Sequence, residues 1–160
     1  MVSKKVIIGA VIAVAVVAIA VIALSGEEEP NARLNCKVEL ADSFTSMGLM
    51  GPYQQMPDEG MKYAILTYKV VNDDYPDSID TNPITWVWKI TVNGISYDFD
   101  FDTFGHPGYK LVSVEKGGST TQVLVFQVPK DASLDGLSVS QSYNWSWDPP
   151  VFKIDKDLTF

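Results

Sequence analysis

The chain has 160 residues, room for one domain and an appendage. It is 46% hydrophobic and 11% aromatic, so a packed core is expected, and its formal net charge is −8. Lys4 and Lys5 precede an apolar run and all twenty acids follow it, so beyond Ser25 ten bases face twenty acids, a net of −10. That balance excludes a nucleic-acid partner held through phosphates and docking onto anionic lipid by charge. It suits a soluble, self-repelling acidic surface.

Residues 1–5 read as a cytoplasmic stub. Val6 to Leu24 (VIIGAVIAVAVVAIAVIAL) is nineteen residues without a charged or polar side chain. As a helix it spans roughly 28 Å, the hydrocarbon thickness of a bilayer. Lys4 and Lys5 flank one side and Glu27, Glu28 and Glu29 the other. The positive-inside rule then puts Met1 in the cytoplasm and the remainder outside, with residues 6–24 as a signal anchor in the lipid bilayer. The alternative is secretion after cleavage near Ser25, since Ala23-Leu24-Ser25 offers small residues at the required spacing. The run is longer than the usual h-region of about 7–15 residues, which favours the anchor. Lipid attachment at Cys36 is disfavoured, because Arg33-Leu34-Asn35 precede it instead of small residues. Gly9 and Ala13 have helix-packing spacing, which arises by chance in an Ala/Val-rich run.

Residues 25–33 (SGEEEPNAR) form an acidic linker, and residues 34–160 the extracytoplasmic domain. Leu34 to Leu40 alternates, with Leu34, Cys36, Val38 and Leu40 on one face of a strand. Cys36 is the sole cysteine, so no internal disulfide forms and a buried thiol is expected. Ala41 to Met61 holds four methionines among Gly and Pro. Clustered thioethers suit Cu(I), but such sites recruit His or Cys and neither lies here. A loop with its methionines packed on the domain edge is the expectation. Lys62 to Asn72 is a strand, and Asp73 to Pro83 (DDYPDSIDTNP) a long acidic loop.

Ile84 to Asp102 (ITWVWKITVNGISYDFDFD) predicts a β-hairpin turning on Asn93-Gly94, a dipeptide suited to a type I′ turn. The register then sets Val92 opposite Ile95, Ile90 opposite Tyr97, Trp88 opposite Phe99 and Trp86 opposite Phe101, all apolar. Thr91–Ser96, Lys89–Asp98, Val87–Asp100 and Thr85–Asp102 fall on the other, mostly polar face. A slip of one residue destroys this sorting, so Trp86, Trp88, Phe99 and Phe101 are expected in the core. Further strands are expected over Tyr109 to Lys116, Thr120 to Val128, Leu137 to Gln141, Tyr143 to Trp147 and Val151 to Leu158. Thr120 to Val128 is apolar at nearly every position from Val123, as for a strand inside a sheet.

Strand-like runs about ten residues apart, with turn residues between them, predict an all-β sandwich behind the membrane helix. The order YAILTYKVVN, hairpin, strand, Gly117-Gly118, then a strand ending VFQVPKDA resembles a known family. It is similar to the telokin-like, immunoglobulin-fold domains of unknown function in bacterial and archaeal lipoproteins and surface proteins. The resemblance covers about Lys62 to Val139 and rests on Asn72, Gly117-Gly118 and Phe126-Gln127-Val128-Pro129. It implies an immunoglobulin-like antiparallel β-sandwich of seven to nine strands outside a cell, and it carries no catalytic or binding residues.

An enzyme is not expected. The chain has one His, His106 in Gly-His-Pro-Gly, and no nucleophile elbow, phosphate loop or zinc spacing. No cofactor is required, and calcium is the chemical alternative. Asp73, Asp74, Asp77 and Asp80 offer carboxylates within eight residues, with Asp102 a candidate to join them. Asp98, Asp100 and Asp102 on one strand face would stand about 6.5–7 Å apart, too far to share one ion. Carbohydrate is the other ligand alternative: Tyr143, Trp145 and Trp147 fall at i, i+2 and i+4 and would line one strand face. Asn144-Trp145-Ser146 is a glycosylation sequon. The function expected is therefore a membrane-anchored, non-enzymatic envelope module that meets a protein or glycan partner. A calcium- or carbohydrate-binding module is the alternative.

Overall fold

The computed structural model describes residues 13–15, 19–21, 29–144 and 146–160. Strands come in chain order as β1 (Ala13–Ala15), β2 (Ile19–Val21), β3 (Ala32–Ala41), β4 (Phe44–Gly48) and β5 (Gly51–Gln55). They continue as β6 (Met61–Asn72), β7 (Ile79–Asp80), β8 (Trp86–Val92) and β9 (Ile95–Asp98). A 3₁₀ turn, Phe101–Gly105, precedes β10 (Ser113–Val114) and β11 (Ser119–Pro129). A second, Leu134–Gly136, leads into β12 (Leu137–Tyr143), and β13 (Phe152–Ile154) ends the list of strands. The protein is all-β, as the strand spacing predicts.

Of two large sheets, one runs β1–β3–β6–β11, with β13 parallel to β3, and the other β2–β12–β8–β9; β7–β10 and β4–β5 form two-stranded sheets of their own. Period-2 alternation decides what each face carries. Leu34, Cys36 and Val38 of β3, Leu66, Tyr68 and Val70 of β6, and Leu124, Phe126 and Val128 of β11 are buried in one core. The same core takes Trp86, Trp88, Ile90 and Val92 of β8 with Leu137 and Val139 of β12, so the two sheets pack face to face. Trp88 stacks on Tyr68 at 4.6 Å, and Trp86 stacks on Phe152 at 4.7 Å. Such contacts add about 0.5–1.5 kcal/mol each beyond area burial.

The far face of the first sheet carries a smaller core of Phe44, Tyr63, Ile65, Val123 and Val125. This explains the continuous apolar run of β11. Both faces of that strand are covered, but it lies at the sheet's edge, not inside it: it pairs β6 alone. Its free edge is closed instead by the 99–112 segment. The Asp100 backbone N–H donates to Val125 O, and Thr103 Oγ1 accepts from Val125 N and donates to Val125 O. This is one way to blunt an edge strand without adding another.

The Asn93-Gly94 turn forms as predicted, with φ of 51° and 82°, and sets Lys89 opposite Asp98 through Val92 opposite Ile95. The ladder ends at Asp98, four pairs short of expectation. Phe101 is 80% exposed, while Phe99 is half-buried and packed against the main core, and neither is paired in the ladder with its tryptophan. The cause is Asp100. Its carboxylate accepts from Asp102 N and caps a 3₁₀ turn, which carries the chain off β8 and across to β11. Trp86 takes Tyr143 of β12 as its register partner instead. Ala41 to Met61 holds the β4–β5 hairpin rather than a loop, and three of its four methionines are not packed, Met61 at the start of β6 being half-buried. Phe44 and Ser46 occupy the inward positions, which leaves Met47, Met50 and Met56 exposed.

Most of the predicted anchor, the stub 1–5 and the cleavage position near Ser25 lie outside the described residues. Within 6–24, β1 and β2 are extended rather than helical: Ala13–Ala15 pairs with Val38–Leu40 antiparallel, and Ile19–Val21 with Val139–Gln141 in parallel. Among the described residues no helix is long and apolar enough to cross a membrane. Val and Ile favour extended backbone, and the outer edges of β3 and β12 offer unpaired groups to such a stretch when lipid does not.

Candidate interaction surface

The 3₁₀ turn that ends the central hairpin organises the surface. With three residues per turn, positions i and i+3 eclipse, so Phe101–Gly105 presents distinct faces. Asp102 and Gly105 face the β4–β5 hairpin. The Asp102 carboxylate accepts from Gln55 Nε2 at 2.8 Å and from the Tyr63 hydroxyl. Burial raises the Tyr63 phenol above its ordinary range, and the bond to Asp102 raises it further. Gly105 O accepts from Ser46 Oγ at 2.7 Å, and a Cβ at Gly105 would collide with that hydroxyl. Thr103 turns inward to β11. Asp100 is held by Gln127 Nε2 at 2.9 Å, and the same Gln127 accepts from Asp58 N.

Phe101 and Phe104 take the remaining face. Their rings lie 5.9 Å apart, with Phe99 6.1 Å from Phe101 and Tyr109 5.2 Å from Phe104. They form an aromatic ledge, and its two central rings are exposed. On the other side of the turn the β4–β5 hairpin ends in Leu49 and Met50, 109% and 103% exposed. His106 packs on Phe44 at 4.9 Å and accepts from Gly108 N through Nδ1, and burial pushes its pKa down. Sequence reading passes over both apolar features. The signal for the ledge is Asp-Phe-Asp-Phe-Asp read as a helix cap; for the hairpin it is Gly48 and Gly51 bracketing two apolar residues.

The residues predicted as a calcium set do not converge. Arg33 donates to both Asp73 oxygens at 2.8 Å, and this bond holds the Asp73 carboxyl below the usual carboxylate range. Asp74 pairs with Lys116 at 2.7 Å. Asp80 accepts from Asn82 N, capping its own loop, while Asp77 supplies only its backbone oxygen, to Asn72. Asp102 is engaged by Gln55 and Tyr63. Among the described residues no three His, Cys, Asp or Glu side chains group as metal ligands. Asp98 pairs with Lys89 at 3.1 Å, as the register predicts.

Of the predicted aromatic stripe, Tyr143 and Trp147 do not share a strand face. Strand β12 ends at Tyr143, whose ring packs on Trp86 and Phe152 and whose hydroxyl accepts from Asp80 N. Trp145 lies outside the described residues, and Trp147, beyond the strand, is 107% exposed. Asn144 is exposed, and its backbone N–H donates to Thr85 O. Cys36 is buried, and loss of solvation pushes its thiol up to about 12.

Asn72 and Gly117-Gly118, singled out by their resemblance to a family, meet across two strand ends. Asn72 N donates to Gly118 O, and Gly117 N donates to Asn72 O. The Asn72 amide, wholly buried, donates to Asp77 O and Val114 O at 3.0 Å each. This asparagine ties the acidic loop and the β10 segment to the end of β6.

No family model and no curated protein matches the chain. Among solved structures, the chain is similar in fold to a conserved hypothetical protein from Bacillus anthracis. The TM-score is 0.50 at 13% identity, over 72% of this chain and 84% of that one. A Bacillus subtilis protein provisionally described as a lipoprotein aligns at a TM-score of 0.39 and 10% identity, over 73% of this chain and 39% of that one.

Proposed function

We propose that the chain is a membrane-anchored module with a non-enzymatic, immunoglobulin-like sandwich outside the cytoplasm, built to meet an envelope partner through its surface. The observation that carries this is the nineteen-residue run 6–24, free of polar side chains and bracketed by Lys4-Lys5 and Glu27 to Glu29. In the anchored state the triplets Ala13–Ala15 and Ile19–Val21 leave the sheet edges and join a helix, because every backbone group must find a partner within the bilayer. The immunoglobulin-like assignment draws support from Asn72 interlocked with Gly117-Gly118. The non-enzymatic assignment draws support from the two side chains most suited to nucleophilic or acid–base chemistry. Cys36 is buried and held protonated at neutral pH, and His106 is occupied by Gly108 N and Phe44. The ledge around Phe101 and Phe104 is an exposed aromatic surface of the kind found at binding sites.

Fractionation tests the anchor. The expressed chain is expected to stay in membranes through an alkaline carbonate wash, with its domain open to protease added from outside. Recovery of a soluble chain whose first residue is Gly26 would overturn the anchor in favour of secretion.

A further inference from the structure

The β4–β5 hairpin differs chemically from the rest of the domain. Ser43 to Pro57 is fifteen residues without a charged side chain, bounded by Asp42 and Asp58, in a chain that is 20% charged. Its base is fixed: Phe44 is buried with Tyr63 and Ile65, Ser46 holds Gly105, and Gln55 holds Asp102. Its end is bare, with Met47, Leu49 and Met50 exposed and Tyr53 half-exposed behind them. We propose that this tip dips into the lipid interface of the membrane to which the chain is tethered. The proposal rests on the anchored reading above.

Four features favour lipid over other occupants. The hairpin pairs one edge of each strand from Phe44–Gln55 down to Gly48–Gly51, and its outer edges stay within reach of water and headgroups in a tip that enters the interface and not the hydrocarbon core. It carries no charge to desolvate, and Tyr53 behind the tip suits the headgroup level, where tyrosine concentrates. The tether from Leu24 to Ala32 reaches at most about 27 Å, which holds the domain at the bilayer and raises the tip's effective concentration there. A second copy is the competing occupant, but a stable interface needs about 800 Å² per partner, more than two or three tip side chains supply. Weak insertion suffices once the anchor has supplied membrane residence. The tip then sets the orientation, turning the face with Phe44 and Tyr63 toward lipid and the outer face of β12 away.

The test uses the full chain in neutral phosphatidylcholine vesicles. Cys36 is buried, so a single introduced cysteine takes an environment-sensitive fluorophore selectively. The label at Met50→Cys is expected to shift blue and to be quenched about twofold or more by brominated phosphatidylcholine, as for a side chain in the acyl boundary. A label at Ser138→Cys, exposed on the outer face of β12, is expected to remain unquenched. An unquenched label at position 50, in a chain that survives the carbonate wash, overturns the tip proposal and leaves the anchor standing. A chain removed by the wash whose tip is still quenched overturns the anchor instead. Excimer formation between two copies labelled at position 50, without lipid quenching, assigns the tip to self-association and also overturns the proposal.

Discussion

Two hairpins in this protein follow the same backbone rule and end in opposite environments. β8–β9 turns on Asn93-Gly94, both at positive φ, and sends Trp86, Trp88, Ile90 and Val92 into the core. β4–β5 turns on Leu49-Met50, with the positive φ displaced to Gly51 at 110°, and sends Met47, Leu49 and Met50 into solvent. In the first, burial and turn chemistry agree, so the register has one solution. In the second, the base alone is buried, and the strand exists to hold a tip away from the domain. Alternation therefore reports where the core is, not where every strand is.

The sharpest way to break the comparison is to remove a ring from the first hairpin. Trp88→Ala deletes a side chain that is 1% exposed and stacked on Tyr68, and is expected to cost about 3–5 kcal/mol in urea unfolding. The phenylalanine pair refines this. The Trp88 indole N–H has no hydrogen-bond partner among the described residues, so Trp88→Phe leaves no described group unpaired. The Trp86 N–H donates to Gln141, so Trp86→Phe strips that acceptor and is expected to cost more. Equal costs for the two would show that hydrogen bonding plays no part.

The joint between the two hairpins comes next. Asp102 is the residue through which the turn after β9 holds β5, by way of Gln55, and β6, by way of Tyr63. Asp102→Ala leaves the Tyr63 hydroxyl, on a buried ring, without its acceptor, and is expected to cost about 1–3 kcal/mol. If unfolding is unchanged, the hairpin is held by Phe44 and the Ser46–Gly105 bond.

How much of this was readable from the chain follows from the same physics. Period-2 alternation locates β3, β6 and β8, because each buries a full face in the shared core, and an unbroken apolar run locates β11, which is covered on both faces. The Asn93-Gly94 turn gave the register of four pairs. Beyond Asp98 the sequence has two solutions, because strand alternation and a capped 3₁₀ turn both accommodate Asp-Phe-Asp-Phe-Asp. The need to close the edge of β11 decided between them, and that need is a tertiary fact. The acidic loop suggested calcium from its carboxylates alone. Its cationic partners, Arg33 and Lys116, lie some forty residues away in the chain, beyond the reach of local spacing. The Tyr143–Trp147 stripe assumed that β12 continued, whereas its ladder with β8 ends at the Tyr143–Trp86 pair.

A smaller effect comes from His106, which braces the base of the second hairpin through Phe44. Burial holds its pKa below 6.5, while Glu39 acts weakly in the opposite sense. The unfolded chain therefore binds the proton first. Stability is complete above about pH 6.5 and falls as the pH drops from there through the lower folded value. His106→Asn keeps an acceptor for Gly108 N but does not titrate. It is expected to flatten this part of the pH–stability curve, measured by urea midpoints between about pH 7 and 5. An identical slope in the variant would place the titration elsewhere.

The least effect on stability is expected at the exposed tip of the second hairpin. Leu49→Ser with Met50→Ser removes two exposed side chains that touch nothing in the domain's interior, so the urea midpoint should move by no more than about 0.5 kcal/mol equivalent. An apolar pair maintained for folding would not behave this way, since deleting a buried Leu or Met costs several times as much. The contrast with Trp88→Ala is therefore diagnostic. If the double serine variant destabilises the domain by more than about 1 kcal/mol, the tip packs against the body and the two hairpins differ only in degree. If stability is kept while contact of the tip with vesicles is lost, the residues are there for what lies outside the fold. The difference between the hairpins is then one of function rather than of packing.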